Sequence, residues 1–131
     1  MILLDTCAVL RLGTDPAQLG AASREALTRL AGHLFVNAIT AFEIAHLTRK
    51  GRFLPPPEMP DPYLWYATLL AHHGLTEIAL DGATAAAAVA LPPIHADPCD
   101  RFIIATALAR HLPIVTCDQT IPRYPGVTVL W

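Results

Sequence analysis

Hydrophobic positions along the chain switch between two spacings, and the switches mark out the elements. Ile2 to Leu4 is an apolar run that meets Asp5 and Thr6; it does not alternate with polar residues, so it predicts a strand buried on both faces. From about Pro16, Leu19, Ala22, Ala26, Leu27 and Leu30 recur three or four apart, which predicts a helix that stops at Gly32. His33 to Asn37 (HLFVN) predicts the second strand. Thr40 then opens a helix with Glu43 three residues on, in a capping-box arrangement. Phe42, Ile44, Ala45 and Leu47 supply its apolar face, and it ends near Arg49-Lys50-Gly51.

Five of the twelve prolines fall between Gly51 and Pro62 (GRFLPPPEMPDP), which predicts an irregular surface loop. A helix over Tyr63 to His73 follows, ended by Gly74, and Leu75 to Leu80 alternates as a third strand. Ala83 to Ala90 is a nearly all-alanine helix, thin enough for close approach by neighbours. Asp97-Pro98 pairs a cap with proline at the first helical position and opens a helix through about Arg110. Ile114 to Cys117 and Val127 to Leu130 are the last two strands. Strands alternating with helices imply parallel pairing, hence a three-layer α/β/α fold with a central parallel sheet. Ligands bind such sheets at the carboxyl ends of the strands.

Composition narrows this picture. A chain of 131 residues with 53% hydrophobic and 15% charged positions has enough apolar mass for one core, so residues 1–131 are expected to form a single domain. Mean hydropathy is +0.42, yet the alanine-rich run at Ala83 to Leu91 is far short of the roughly 18 apolar residues of a membrane span. The start, MILLDTCAVL, has an acid inside its apolar run and no basic residue before it, so it does not read as a secretory signal. Cys7, Cys99 and Cys117 form an odd set without a CxxC pair, which argues for a reducing compartment and a cytoplasmic protein. The formal charge of −2 excludes the strongly basic class of nucleic-acid binders. Eight of the nine bases are arginine, the residue suited to phosphate contacts.

The acids carry the chemistry. Asp5 ends the first strand and Asp118 ends the strand Ile114 to Cys117, while Glu43 and Asp100 lie in the first turns of helices at the same edge. Clustered carboxylates repel one another, and a hard divalent cation, Mg²⁺ or Mn²⁺, neutralises them with oxygen ligands. Phosphodiester hydrolysis is the natural reaction of such a site. Each acid also has a structural reading: a turn for Asp118, helix capping for Glu43, Asp97 and Asp100. Asp5, expensive to bury without a partner, is the least readily explained that way.

MILLDTCAVL, TAFEIA, DPCDRFIIATALA and IVTCD, in this order and spacing, resemble the PIN domain, and specifically the VapC-type ribonuclease toxins of bacterial toxin–antitoxin systems. The resemblance covers essentially the whole chain, including the closing VTVLW. It implies that Asp5, Glu43, Asp100 and Asp118 take the metal-binding and catalytic positions, with Asp97 in a DPxDR variant as either a further ligand or only a cap. It also implies that Thr116 is a supporting hydroxyl beside Asp118. A further acid that some relatives carry after Asp118 is missing from QTIPRYPG, which leaves open one metal or two. The implied activity is a Mg²⁺- or Mn²⁺-dependent endoribonuclease, working as a homodimer on RNA and silenced by a cognate antitoxin. Two alternatives stand beside it: a PIN nuclease of RNA processing without an antitoxin, and a catalytically silent PIN interaction module.

Arg49, Lys50 and Arg52, with Arg101, are candidate RNA-phosphate contacts. The three cysteines read as small hydrophobes packed near the acids. The histidines show no metal-ligand spacing with one another, and His72-His73 reads as a helix C-terminus. Tyr63, Trp65 and Tyr66 are expected to pack within a helix pair or, with the Pro-rich loop, against an antitoxin segment.

Overall fold

Strand β1 (Ile2–Leu4) is fully buried, with Ile2 and Leu4 in one core and Leu3 in the other, as an apolar run without alternation requires. The computed structural model describes residues Met1–Trp131. With β2 (Leu34–Asn37), β3 (Leu75–Ile78), β4 (Ile114–Val115) and β5 (Val129–Leu130), β1 forms an all-parallel sheet in the order β3-β2-β1-β4-β5. Leu4 pairs with Val36 on one side and Val115 on the other. The Asp5 amide continues the second ladder, donating to the Val115 carbonyl at 3.1 Å.

The first crossover contains an element that the spacing did not predict, α1 (Thr6–Thr14). Cys7, Ala8, Val9, Leu10 and Leu12 are apolar almost without interruption, so no helical stripe stands out, although only Thr6, Ala8 and Val9 are fully buried. The helix expected from Pro16 is broken in two: a 3-10 turn over Pro16–Gln18, then α2 (Ala21–Arg29). Gly20 sits at the break, where an added Cβ would lie 2.1 Å from the backbone of Trp131. That close approach of the chain's last residue is invisible to local periodicity.

Helix α3 (Ile39–Arg49) begins one residue before Thr40, and the expected Thr40–Glu43 capping box does not form. Asn37 takes over the start, its Oδ1 accepting from the Ile39 amide at 2.8 Å, which frees Thr40 and Glu43 to face α1. Helix α4 (Pro62–His73) is ended, as expected, by Gly74 at φ +64°, and it starts one residue before Tyr63 under a cap from Asp61. Strand β3 stops at Ile78 and buries only its outer two residues, because it lies at the sheet edge beside β2 alone. Helices α5 (Gly82–Ala90) and α6 (Pro98–Arg110) are capped by Asp81 and Asp97.

Two cores flank the sheet. Residues of α1 to α4 pack with Ile2, Leu4, Val36 and Val115 on one face, while Ile103, Ile104 and Ala107 of α6 pack with Leu3 and Ile114 on the other. Helix α5 lies against α6. The chain leaves β1 in one direction to make β2 and β3, then returns past it to make β4 and β5. The gap beyond β1 and β4 is therefore a topological switch point, where a crevice opens at the carboxyl end of a parallel sheet.

Candidate functional site

Asp5 follows β1 directly and lies at the foot of that crevice, 3% exposed. Its Oδ1 accepts from the Ala8 amide at 2.9 Å and so caps α1, and its Oδ2 accepts from the Thr116 hydroxyl. The Thr116 oxygen in turn accepts from the Asp118 amide at 2.9 Å, so one hydroxyl couples the ends of β1 and β4. Asp118 Oδ1 accepts from the Thr120 amide at 2.6 Å, which turns the chain. Glu43 reaches the crevice from α3 and accepts from Thr6 at 2.5 Å. Asp100 reaches it from the first turn of α6. The Asp97 carboxylate instead caps α6, accepting from the Cys99 amide at 2.9 Å, and the reciprocal bond from Asp100 back to the Asp97 amide is absent.

Acidities report the crowding. Burial raises Asp5 above the ordinary carboxylate range against the pull of its Thr116 and Ala8 hydrogen bonds. Glu43 is pushed up to about 7, mainly by burial and further by the charges of Asp100, Asp97 and Asp5. Asp100 is pushed up to about 6, again by burial first, with a neighbouring histidine working against it. Asp118 stays below its usual value: burial works upward, but the His95 hydrogen bond and the Thr120 and Ile121 amides outweigh it. Acids that resist ionisation because they are buried with other acids are the donor set that a hard divalent cation stabilises in its charged form. The residues fit such an ion.

A match to the PIN-domain family covers residues 2–127. The chain belongs to that family. Within it, the chain is 33% identical over 133 residues to Ribonuclease VapC22 of Mycobacterium tuberculosis, a similarity covering 99% of this chain and 98% of the relative. The fold is shared with two solved complexes. One is VapBC2 from Rickettsia felis bound to a DNA fragment from its promoter, with TM-score 0.73 and 16% identity over 99% of this chain and 98% of that one. The other is a toxin–antitoxin complex from Klebsiella pneumoniae, with TM-score 0.67 and 19% identity over 100% and 97%.

The PIN site holds one residue that sequence spacing missed. His95 Nε2 lies 3.1 Å from Asp100 Oδ2 and 2.9 Å from Asp118 Oδ2, and these three side chains are the tightest potential ligand set, within 4.8 Å of one another. Its Nδ1 accepts from the Asp97 amide at 3.1 Å, so the neutral ring carries its proton on Nε2 and donates it to the two carboxylates. The available signal was its position two residues before the Asp97 cap, not spacing to another histidine.

Arg101 is a correction. Its guanidinium turns away from the crevice and donates to the carbonyls of Ala88, Leu91 and Pro92 at 2.8–2.9 Å and to the Tyr124 hydroxyl at 3.1 Å. It binds carbonyls at and just beyond the end of α5, and its donors are taken up there. Arg49, Lys50 and Arg52 are exposed. A cleft of about 510 Å³ runs between Glu43 and Asp97 at one end and Lys50 and Arg52 at the other, with Phe42 and His46 on its wall. Trp65 and Tyr66 are core residues, Tyr66 donating to Glu77 at 2.7 Å, whereas Tyr63 is exposed. No helix is long and apolar enough to cross a membrane.

Proposed function

We propose that this PIN domain is a Mg²⁺- or Mn²⁺-dependent endoribonuclease, the toxin of a toxin–antitoxin pair. The observation that carries the reading is the convergence of four acids from four different elements on the switch point of a parallel sheet. The ribonuclease name of the curated relative supports RNA as substrate, and the antitoxin-bound assemblies among the structural neighbours support an antitoxin partner.

Asp5, Glu43, Asp100 and Asp118 are the residues that would hold the ion, with Asp97 contributing charge nearby and its carboxylate engaged as a cap. When bound, the ion supplies a water acidic enough to attack at neutral pH and charge to offset that on the phosphate and leaving oxygen. Thr6 and Thr116 orient Glu43 and Asp5. His95 holds Asp100 and Asp118 with their Oδ2 atoms turned toward each other. Lys50 and Arg52 in the cleft, with Arg49 exposed beside them in sequence, lead an RNA strand toward Glu43.

A second cleft of about 510 Å³ opens between α1, α4 and the Pro-rich loop, lined by Leu12, Pro56, Met59, Trp65 and Leu69 among others. Its apolar wall suits the apolar face of an antitoxin segment. Val89 on the thin α5 is 81% exposed, and this helix is the surface on which a second copy would pack in a homodimer. The direct test is cleavage of total RNA by the purified chain in Mn²⁺, with sequencing of the new ends. Cleavage that stops with EDTA is expected; cleavage that survives EDTA would remove the metal mechanism. Light scattering reads the homodimer, and co-purification with the protein encoded beside it reads the antitoxin.

A further inference from the structure

We propose that Cys7 and Cys117 are a site of reversible oxidation, closing an intramolecular disulfide between the two corners that carry Asp5 and Asp118. The two Sγ atoms are 2.9 Å apart, and the Cys117 amide lies 3.5 Å from Cys7 Sγ. A disulfide needs about 2.05 Å, so the sulfurs are about 0.9 Å from bonding distance. One thiol donates to the other across this contact, so no heavy atom separates the two sulfurs. Both side chains are half-buried, within reach of a small oxidant, whereas Cys99 is buried at the start of α6 and has no thiol neighbour.

The oxidant is hydrogen peroxide. One sulfur attacks the O–O bond, forming S–O and releasing water after proton transfer. The second sulfur then displaces the oxygen: S–S forms, S–O breaks, and a second water leaves. Two thiols are oxidised and one peroxide is reduced, and a dithiol reductant reverses the change. Cys7 lies two residues after Asp5, and Cys117 stands between Thr116 and Asp118, so closing the bond pulls on both ends of the Asp5–Thr116–Asp118 connection. An ion that demands near-ideal oxygen geometry at about 2.0–2.1 Å is sensitive to such a displacement. The oxidised protein therefore binds metal more weakly. This last consequence rests on the proposed metal site; the disulfide itself does not.

The experiment treats the reduced, full-length, metal-free protein with hydrogen peroxide. Expected are a loss of two hydrogens in intact mass, a fall in free thiols from three to one, and a peptide joining residues 7 and 117. The oxidised form should melt several degrees higher, because the bond closes a long loop in the unfolded chain, and dithiothreitol should restore the original melt. Cys99→Ser should behave as wild type, while Cys7→Ser and Cys117→Ser should form no internal bond. Added oxygen without cross-linking, a link through Cys99, or a link only between chains would overturn the proposal. Calorimetry with Mn²⁺ should find binding at least about tenfold weaker after oxidation, the scale on which partners behind metal ligands act. Unchanged affinity in the cross-linked protein would overturn the coupling to metal. A reduced protein that binds no Mn²⁺ would overturn the metal site and leave the disulfide standing.

Discussion

Asp5 and Asp81 perform the same local task with opposite electrostatic results. Each ends an extended segment, adopts extended backbone angles, and accepts from the amide three residues on, at 2.9 Å in α1 and 2.8 Å in α5. On the open surface, the cap bond lowers the pKa of Asp81. In the crevice, burial overrides the same bond and raises that of Asp5, with Asp118 adding to the rise. Capping explains where both acids stand in the sequence. Only company and burial separate a cap from a site.

The comparison breaks most visibly in catalysis. Asp5→Asn should lower RNA cleavage in Mn²⁺ by at least about a hundredfold, since removing even the partners behind metal ligands costs about 10–100-fold. Asp81→Asn should leave the rate unchanged. Equal initial rates for the two variants would make Asp5 an ordinary cap.

Metal-dependent stability gives the next effect. Saturating Mn²⁺ at about 100 times its Kd should stabilise the wild type by about 2.7 kcal/mol. Asp100→Asn should melt above wild type in EDTA, because one of several repelling charges is gone, and should lose that advantage as Mn²⁺ is added. Asp81→Asn should follow the wild type in both conditions. Thermal melts in which Asp100→Asn is destabilised in EDTA, and the wild type does not respond to Mn²⁺, would dissolve the cluster.

Acidity gives a smaller effect with a definite sign. Glu43 and Asp100 are raised to about 7 and about 6, so the folded, metal-free protein holds protons there that the unfolded chain releases. Their contribution is fully present below the ordinary values of 4.5 and 3.8 and is lost as pH rises through about 6 and about 7. Metal-free stability should fall over that window, while Mn²⁺ affinity should rise as the protons leave. Asp81, with its lowered value, contributes in the opposite sense: its stabilisation is lost as pH falls. Denaturant melts between pH 4 and 8 for wild type and for Glu43→Gln read the difference, which should be reduced in the variant. The smallest effect belongs to Asp81→Ala, a slight drop in melting temperature that is the same with and without Mn²⁺.

The parallel sheet, the strand at Ile2 and the four acids were legible because each leaves a local mark: an apolar run, or a carboxylate where a strand or helix begins. Helix α1 was not, since its nearly continuous apolar residues hide the period of its buried face. The Thr40–Glu43 capping box was a plausible local reading defeated by a tertiary one, because Asn37 starts α3 and Thr6 claims Glu43. Arg101 left its expected place and His95 took an unexpected one for the same kind of reason. The arginine beside Asp100 was drawn to the carbonyls ending α5, and the histidine five residues before Asp100 folded over both acids. Partners supplied by distant loops leave no period in the sequence.

Strand order also bears on when during synthesis the acidic centre can assemble. β1 is synthesised first, yet its neighbour on the catalytic side is β4, with Leu3 paired to Ile114. Asp5 is made 111 residues before Thr116 and waits for it and for Asp118. Long-range parallel pairing of this kind forms late in folding. A nascent or prematurely ended chain that lacks β4 carries no assembled centre, so the topology itself delays that assembly until β4 has been made.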